Sequence, residues 1–240
     1  IFISDYIEDK ITNAGVTTNA SFGSSIAMKG SQLAVGAPRN NSGASPKVIT
    51  YFHNGSNWVE ATVLEYSEFS GAGKSSTDYF GHATSMSNNF LAISAPNYQS
   101  TNGVVLIFER TGNTWNKVIE ILPPAGGGRF GRSLSMTDNY ISIGAPNLDK
   151  VYVYKKITSN NWSLDKTFTG PVGGNKLGTS VSMNGNHLFM GAPEEVSGTG
   201  QVYFSEFSGS VWNSITTLAN PAGLMTFKNY GESLSLSNGR

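Results

Sequence analysis

The sequence predicts an all-β fold assembled from repeats, and three observations carry that reading. The first is composition. Gly supplies 28 of the 240 residues and aromatic residues 11 %, with Phe and Tyr dominating, a pairing of turn formers with strand formers that marks all-β chains. The second is a motif at fixed spacing. Phe22-Gly23, Phe80-Gly81, Phe130-Gly131 and Leu177-Gly178 precede the triplets Gly36-Ala37-Pro38, Ser94-Ala95-Pro96, Gly144-Ala145-Pro146 and Gly191-Ala192-Pro193, and the first Gly lies 14 residues before the Ala in all four. The third is a period of two inside each copy. A fifth copy opens at Tyr230-Gly231, and successive motif glycines stand 58, 50, 47 and 53 residues apart. That length suits one four-stranded blade. The expected fold is therefore a β-propeller of four-stranded antiparallel blades. It forms one domain or propeller fragment over residues 1–240, with repeats starting near 22, 80, 130, 177 and 230. The ring has about five blades if it closes, or the chain is part of a larger one, for example seven-bladed.

The first strand of each repeat follows its Gly. Ile26/Met28, Thr84/Met86, Leu134/Met136, Val181/Met183 and Leu234/Leu236 alternate with Ser25/Ala27, Ala83/Ser85, Ser133/Ser135, Ser180/Ser182 and Ser233/Ser235. One face is mostly apolar and the other uniformly small, as in a strand packed tightly on both sides. Turns follow at Lys29-Gly30-Ser31, Asn88-Asn89, Thr137-Asp138-Asn139 and Asn184-Gly185-Asn186, which are hairpin sequences. The second strand is Leu33–Val35, Leu91–Ile93, Ile141–Ile143 or Leu188–Met190, and the third is Val48–Phe52, Val104–Phe108, Val151–Tyr154 or Val202–Phe204. Another turn leads to Trp58, Trp115, Trp162 or Trp212, so all 4 tryptophans share one repeat position, and the fourth strand runs on from each. Such a meander buries its faces only by stacking on its copies.

This pattern of aromatic-Gly, Gly-Ala-Pro, a strand such as Val151-Tyr152-Val153-Tyr154, and a turn-Trp strand resembles the FG-GAP repeat family. Integrin α-subunit heads are its best-known members, and this chain is most similar to the non-calcium tandem repeats of secreted bacterial proteins. The resemblance runs from Ser21 almost to the end. It implies a propeller with a non-catalytic extracellular role in binding, adhesion or scaffolding, as part of a larger secreted or cell-surface protein. Calcium-binding members carry an Asp-rich loop between the first two strands. Here that loop is a tight turn with at most one carboxylate, Asp138, and calcium needs several converging oxygens. Neither a metal nor another cofactor is therefore expected.

The totals narrow the function further. Charged residues are 13 % and sum to a net charge of zero, unlike a nucleic-acid surface or an acidic tail. There is no Cys, which excludes disulfides and thiolate metal sites. No apolar run approaches the roughly 20 residues of a membrane helix. The chain starts at Ile1 and stops at Arg240 without a terminating feature, so further domains of the same polypeptide are expected. Ile1–Tyr6 reads as a second strand lacking its first, and Gly231–Arg240 as a first strand lacking its second. Either residues 1–20 and 230–240 share one blade, or the chain is a window on a longer array.

Chemistry for an enzyme is not legible. His53, His82 and His187 occupy different repeat positions without metal-ligand spacing and read as surface or strand-edge residues. No Ser lies in a nucleophile elbow, and Gly126-Gly127-Gly128 reads as a linker between blades. The tryptophans fit core packing between blades better than sugar stacking, because a core residue follows a repeat whereas a site breaks it. Arg129, Arg132 and Glu232 read as solvated rim residues. The loops after the Ala-Pro pairs vary most, and repeat proteins collect such variation on a binding face. Arg39, Asn40, Asn97, Tyr98, Asn147, Glu194 and Glu195 are therefore the candidate ligand-binding residues, with a protein or glycan as partner. A carbohydrate-binding propeller lectin, with Tyr98 as an exposed loop aromatic, is the alternative.

Overall fold

The computed structural model describes residues 11, 20–39, 45–70, 75–124, 126–171, 173–194, 199–218 and 229–237. Asn40, Glu195 and the strand expected at Ile1–Tyr6 lie outside these residues.

Four antiparallel sheets follow one another along the chain. Blade 1 comprises β1 (Ser25–Lys29), β2 (Gln32–Ala37), β3 (Lys47–His53) and β4 (Trp58–Glu65). Blade 2 comprises β5 (Thr84–Met86), β6 (Phe90–Ala95), β7 (Val104–Thr111) and β8 (Thr114–Ile121). Blade 3 comprises β9 (Leu134–Met136), β10 (Tyr140–Ala145), β11 (Lys150–Thr158) and β12 (Asn161–Thr169). Blade 4 comprises β13 (Ser180–Asn184), β14 (His187–Ala192), β15 (Gln201–Ser208) and a divided last strand, β16 (Val211–Trp212) and β17 (Thr216–Leu218), both paired with β15. The fourth strands of the other blades carry a register shift at the equivalent place, between Thr50 and Tyr51, Ile107 and Phe108, and Val153 and Tyr154 on their partners. Helical elements among the described residues span at most 4 residues. This is the blade architecture that the repeats predict.

The third strands run past their expected ends, to His53, Thr111, Thr158 and Ser208. Most of the added residues, such as Glu109-Arg110-Thr111, are polar and partly or fully exposed, although Ile157 and Phe207 are apolar and Ser205 is buried. They pair in the outer hairpin, where no core face imposes alternation.

The core lies between blades rather than within them. Ala34, Val48 and Leu64 of blade 1 pack with Phe80, Met86, Leu91 and Trp115 of blade 2. Phe90, Val105 and Ile107 of blade 2 pack with Phe130, Met136, Ile141 and Trp162 of blade 3. Val151, Val153 and Phe168 of blade 3 pack with Leu177, Met183, Leu188 and Trp212 of blade 4. Each first strand thus turns its apolar face backward, onto the preceding blade. Ile26 and Met28 of β1, with no preceding blade among the described residues, are 64 % and 63 % exposed, whereas Met86, Met136 and Met183 are buried. The small face turns forward. Ser25, Ser133 and Ser180 donate their hydroxyls to the carbonyls of Gly81, Gly178 and Gly231 in the next repeat, at 2.8, 2.8 and 2.6 Å. Lys29, Met86, Met136, Met183 and Leu236, one from each repeat, border one cavity of about 340 Å³ at the hairpin end. The four first strands and the segment after Gly231 therefore converge on one cavity.

The fixed spacing has a direct cause. The N–H of each motif Gly donates to the carbonyl of the triplet's first residue: Gly23 to Gly36, Gly81 to Ser94, Gly131 to Gly144 and Gly178 to Gly191, at 2.9–3.0 Å. An inserted residue would break this bond. The motif glycines hold φ between +88° and +92°, a conformation that disfavours any side chain. The triplet Gly is needed for space instead: a Cβ on Gly36, Gly144 or Gly191 would overlap the next repeat's Gly carbonyl oxygen and the serine hydroxyl of its own first strand.

Candidate binding site at the loop face

Strand direction places the Ala-Pro loops and the segments leading into each motif Gly at the same end. The loops start identically. The residue after each Pro donates its N–H to the residue three before the motif Gly: Arg39 to Ala20, Asn97 to Asp78, Asn147 to Gly128 and Glu194 to Asn175. Arg39, Asn147 and Glu194 are exposed and Asn97 is half-buried. Four of the candidate residues thus share one rim, but they do not converge on one site. Asn147 accepts from Lys176 Nζ at 3.4 Å, whereas Asn97 lines a pocket described below.

Tyr98 departs from the expectation of an exposed aromatic. It is 3 % exposed and belongs to the core between blades 1 and 2, edge-on to Phe69 with ring centroids 5.2 Å apart. The one-turn element Tyr98–Thr101 causes this: Gln99, Ser100 and Thr101 have φ of 48°, 59° and 79°, and the left-handed turn folds the Tyr side chain inward. An aromatic in a polar loop looks exposed by composition alone.

Two repeat positions outside the Ala-Pro loops hold the more organised site. The residue two before each motif Gly is left-handed throughout: Ser21, Tyr79, Arg129, Lys176 and Asn229. Its carbonyl accepts the N–H of the residue after the Gly: Ser24, His82, Arg132, Thr179 and Glu232. The backbone follows the repeat here while the side chains break it. Between blades 2 and 3 these positions bring together Tyr79, His82, Arg129 and Arg132, with Pro96 and Asn97, around a pocket of about 210 Å³. An adjoining depression of about 500 Å³ shares Tyr79 and Asn97 and adds Ser75, Thr77, Gln99, Ser100 and Thr101.

The electrostatics of the pocket are specific. Arg132 Nη1 lies 2.6 Å from His82 Nε2. A guanidinium only donates, so Nε2 accepts and the imidazole is neutral with its proton on Nδ1. Burial first, then the charges of Arg132 and Arg129, push this histidine down to about 4. His82 is thus no simple strand-edge residue, and Arg132 is half-buried rather than a fully solvated rim residue. Tyr79 stands edge-on to His82, with centroids 6.5 Å apart. Asp78 beside them is buried, and its Oδ2 accepts the Ser75 N–H at 2.6 Å. The signal that locates this site in the sequence is positional variance beside an invariant glycine.

The next inter-blade joint is held differently. Asp149, left-handed at φ 52°, accepts the backbone N–H groups of Gly174, Lys176 and Leu177 at 2.5, 2.5 and 3.3 Å. It pins the segment entering repeat 4. Gly103 does the same work between blades 2 and 3 by close approach: it bridges to Phe130, and a Cβ there would overlap the Phe130 carbonyl oxygen.

The FG-GAP repeat family matches residues 7–48. The chain therefore carries an FG-GAP repeat, and the copies at Phe80, Phe130, Leu177 and Tyr230 repeat its motif within a β-propeller. No curated protein matches the chain. Among solved structures it is similar to one described as a "putative 6-phosphogluconolactonase" from Bacteroides uniformis, with a TM-score of 0.60, 9 % identity, and 83 % of this chain covered. The chain spans 57 % of that structure's length. At that identity the likeness shows the fold alone.

Proposed function

We propose that this chain is a non-catalytic binding module, an extracellular adhesion or scaffold propeller within a larger secreted or cell-surface protein, which presents its loop face to a protein or glycan. One observation carries the reading. The core and joint positions mostly follow the repeat, while the two positions flanking the motif Gly at the loop end diverge, and those of repeats 2 and 3 gather around one pocket. A shared scaffold with local divergence is how repeat proteins build binding faces. The FG-GAP repeat and the neutral, polar loops support an extracellular setting. Among the described residues no helix is long and apolar enough to cross a membrane. The pocket argues for binding over catalysis: the Nε2 lone pair of His82 is occupied by Arg132, and an imidazole held near 4 is a weak base at neutral pH. The lectin alternative draws on the hydroxyl- and amide-lined depression beside Tyr79. Arrays of glycans and of extracellular matrix proteins test the reading, probed with the wild type and with a Tyr79→Ala, Glu194→Ala double variant. Saturable binding weakened by the variant is expected. Binding that ignores every loop-face substitution, or hydrolysis of an array glycan, would overturn it.

A further inference from the structure

The pocket between blades 2 and 3 holds two cations and no anion. Among the described residues neither Arg129 nor Arg132 has a carboxylate partner, although acids and bases are equal in number along the chain, 16 of each. No carboxylate lines the smaller pocket. One Arg132 N–H is fixed on His82, which orients the planar guanidinium and leaves the rest of its donors free. Such a fork matches a carboxylate. The backbone N–H of Arg129 donates to the Thr101 carbonyl at 2.8 Å, which ties the arginine to the left-handed turn. Three successive non-glycine residues at positive φ store strain of the kind that clusters at binding sites.

We infer that this pocket is a carboxylate site whose ligand is an acidic sugar, with the carboxylate between Arg129 and Arg132 and the sugar ring in the adjoining depression against Tyr79 and Asn97. The inference rests on the reading of the loop face as a binding surface. The lining of the depression favours a sugar over an acidic peptide. It is made of hydroxyls, amides, the buried Asp78 and one aromatic ring, Tyr79, 36 % exposed, and contains no aliphatic residue. Protein partners seat Tyr and Arg anchors in well-packed, desolvated interface cores, whereas no aliphatic residue lines this depression to build one. A hydroxylated ring finds hydrogen-bond partners on all sides. The combined space falls within the range of small-ligand sites.

The test uses substitutions borrowed from other repeats, which keep the fold. Arg129→Asn copies Asn229, and Arg132→Thr copies Thr179. The probes are tetrasaccharides of galacturonate, glucuronate and mannuronate, their methyl esters, and a tetraglutamate peptide, titrated by calorimetry. At least one uronate should bind saturably and weaken about tenfold or more in each variant, as expected for loss of a charge-assisted contact. Its methyl ester and the peptide should bind at least as much more weakly. Equal binding of ester and acid, equal binding of the peptide, insensitivity to Arg132→Thr, or no binding of any uronate would overturn the inference. The array experiment separates the two failures. Binding of a neutral glycan or a protein that Tyr79→Ala, Glu194→Ala weakens and both arginine variants leave unchanged would retain the binding module and remove the carboxylate site.

Discussion

The side chains of Ala83 and Ser94 are exchanged relative to their counterparts in the neighbouring blades. Elsewhere the first strand carries Ser and the triplet carries Gly, as in Ser133 and Gly144. In blade 2 the first strand carries Ala83, and the Ser94 hydroxyl instead accepts the Ala83 N–H at 3.0 Å. The overlaps explain the exchange: a Cβ on Gly144 would fall on the Ser133 hydroxyl, so only one of the two positions accommodates a side chain with a hydroxyl. Restoring the common residue singly should therefore do harm. Ala83→Ser is expected to cost about 1–3 kcal/mol, the usual range for overpacking, and Ala83→Ser, Ser94→Gly should recover most of it. Urea denaturation of the two variants measures this coupling directly.

Gly144→Ala isolates the same constraint without a compensating partner. It drives a methyl group into the Gly178 carbonyl oxygen and the Ser133 hydroxyl. A loss of about 2 kcal/mol or more is expected, against about 1 kcal/mol for Ser133→Ala, which removes only the hydrogen bond. Equal effects of the two would show that the joint relaxes easily.

The blade architecture was legible because the constraints that define it are local and recur. A hydrogen bond from Gly131 to Gly144, and its counterparts, sets a spacing that repeats in the sequence. The alternation of Ser133/Ser135 with Leu134/Met136 states which face is tight. The loop that hides Tyr98 was not legible, because a left-handed turn over Gln99–Thr101 has no Gly or Asn at its centre to announce it. The pocket was half legible. Asn97 came from loop variability, but His82 and Arg132 meet only across two blades, and separation in sequence gives no sign of a 2.6 Å contact.

His82 should make stability depend on pH in a defined window. Its folded value, about 4, lies below the unfolded value near 6.5. As pH falls, the unfolded chain takes up the proton first. The contribution is therefore full above about 6.5 and is lost on the way down to about 4. At about 1.4 kcal/mol per pH unit the total is about 3 kcal/mol. The groups facing the imidazole are Arg132, Arg129 and Tyr79. Denaturation at pH 7, 5.5 and 4.5 should show a shallower acid decline in His82→Ser, which copies Ser24, than in the wild type.

The tryptophans should differ in weight despite their common repeat position. Trp162 is buried against Phe90 of the preceding blade, ring centroids 5.5 Å apart, and Trp212 meets Tyr140 in the same way at 5.9 Å. Trp58 is half-buried and meets His53 of its own blade. Trp162→Ala should cost about 3–5 kcal/mol and Trp58→Ala distinctly less. Thermal melts of the two variants decide the order.

Calcium should leave the melting temperature unchanged. Asp138, the one carboxylate in a turn between first and second strands, is engaged by Asn88 Nδ2 at 2.7 Å and the Asn89 N–H at 3.1 Å. Among the described residues no group of three or more His, Cys, Asp or Glu is placed to hold a metal ion. Melts in millimolar calcium and in chelator should coincide, and a rise of several degrees with calcium would reveal a site elsewhere.

The two-faced first strand gives the whole assembly a direction. Hydroxyls point toward the later repeat and apolar side chains toward the earlier one, so each blade is a monomer in a head-to-tail polymer with a distinct leading and trailing surface. Such a polymer lengthens by duplication of one unit without new chemistry at the junction, because the copy presents the surfaces that its neighbours already fit. Blade 2 is the exception. A duplicate of it would carry Ala83 at its leading surface, in place of the hydroxyl that Ser25, Ser133 and Ser180 extend to the next glycine carbonyl. Its joint is private to its position, so the units of this propeller are alike in shape but not freely interchangeable in order.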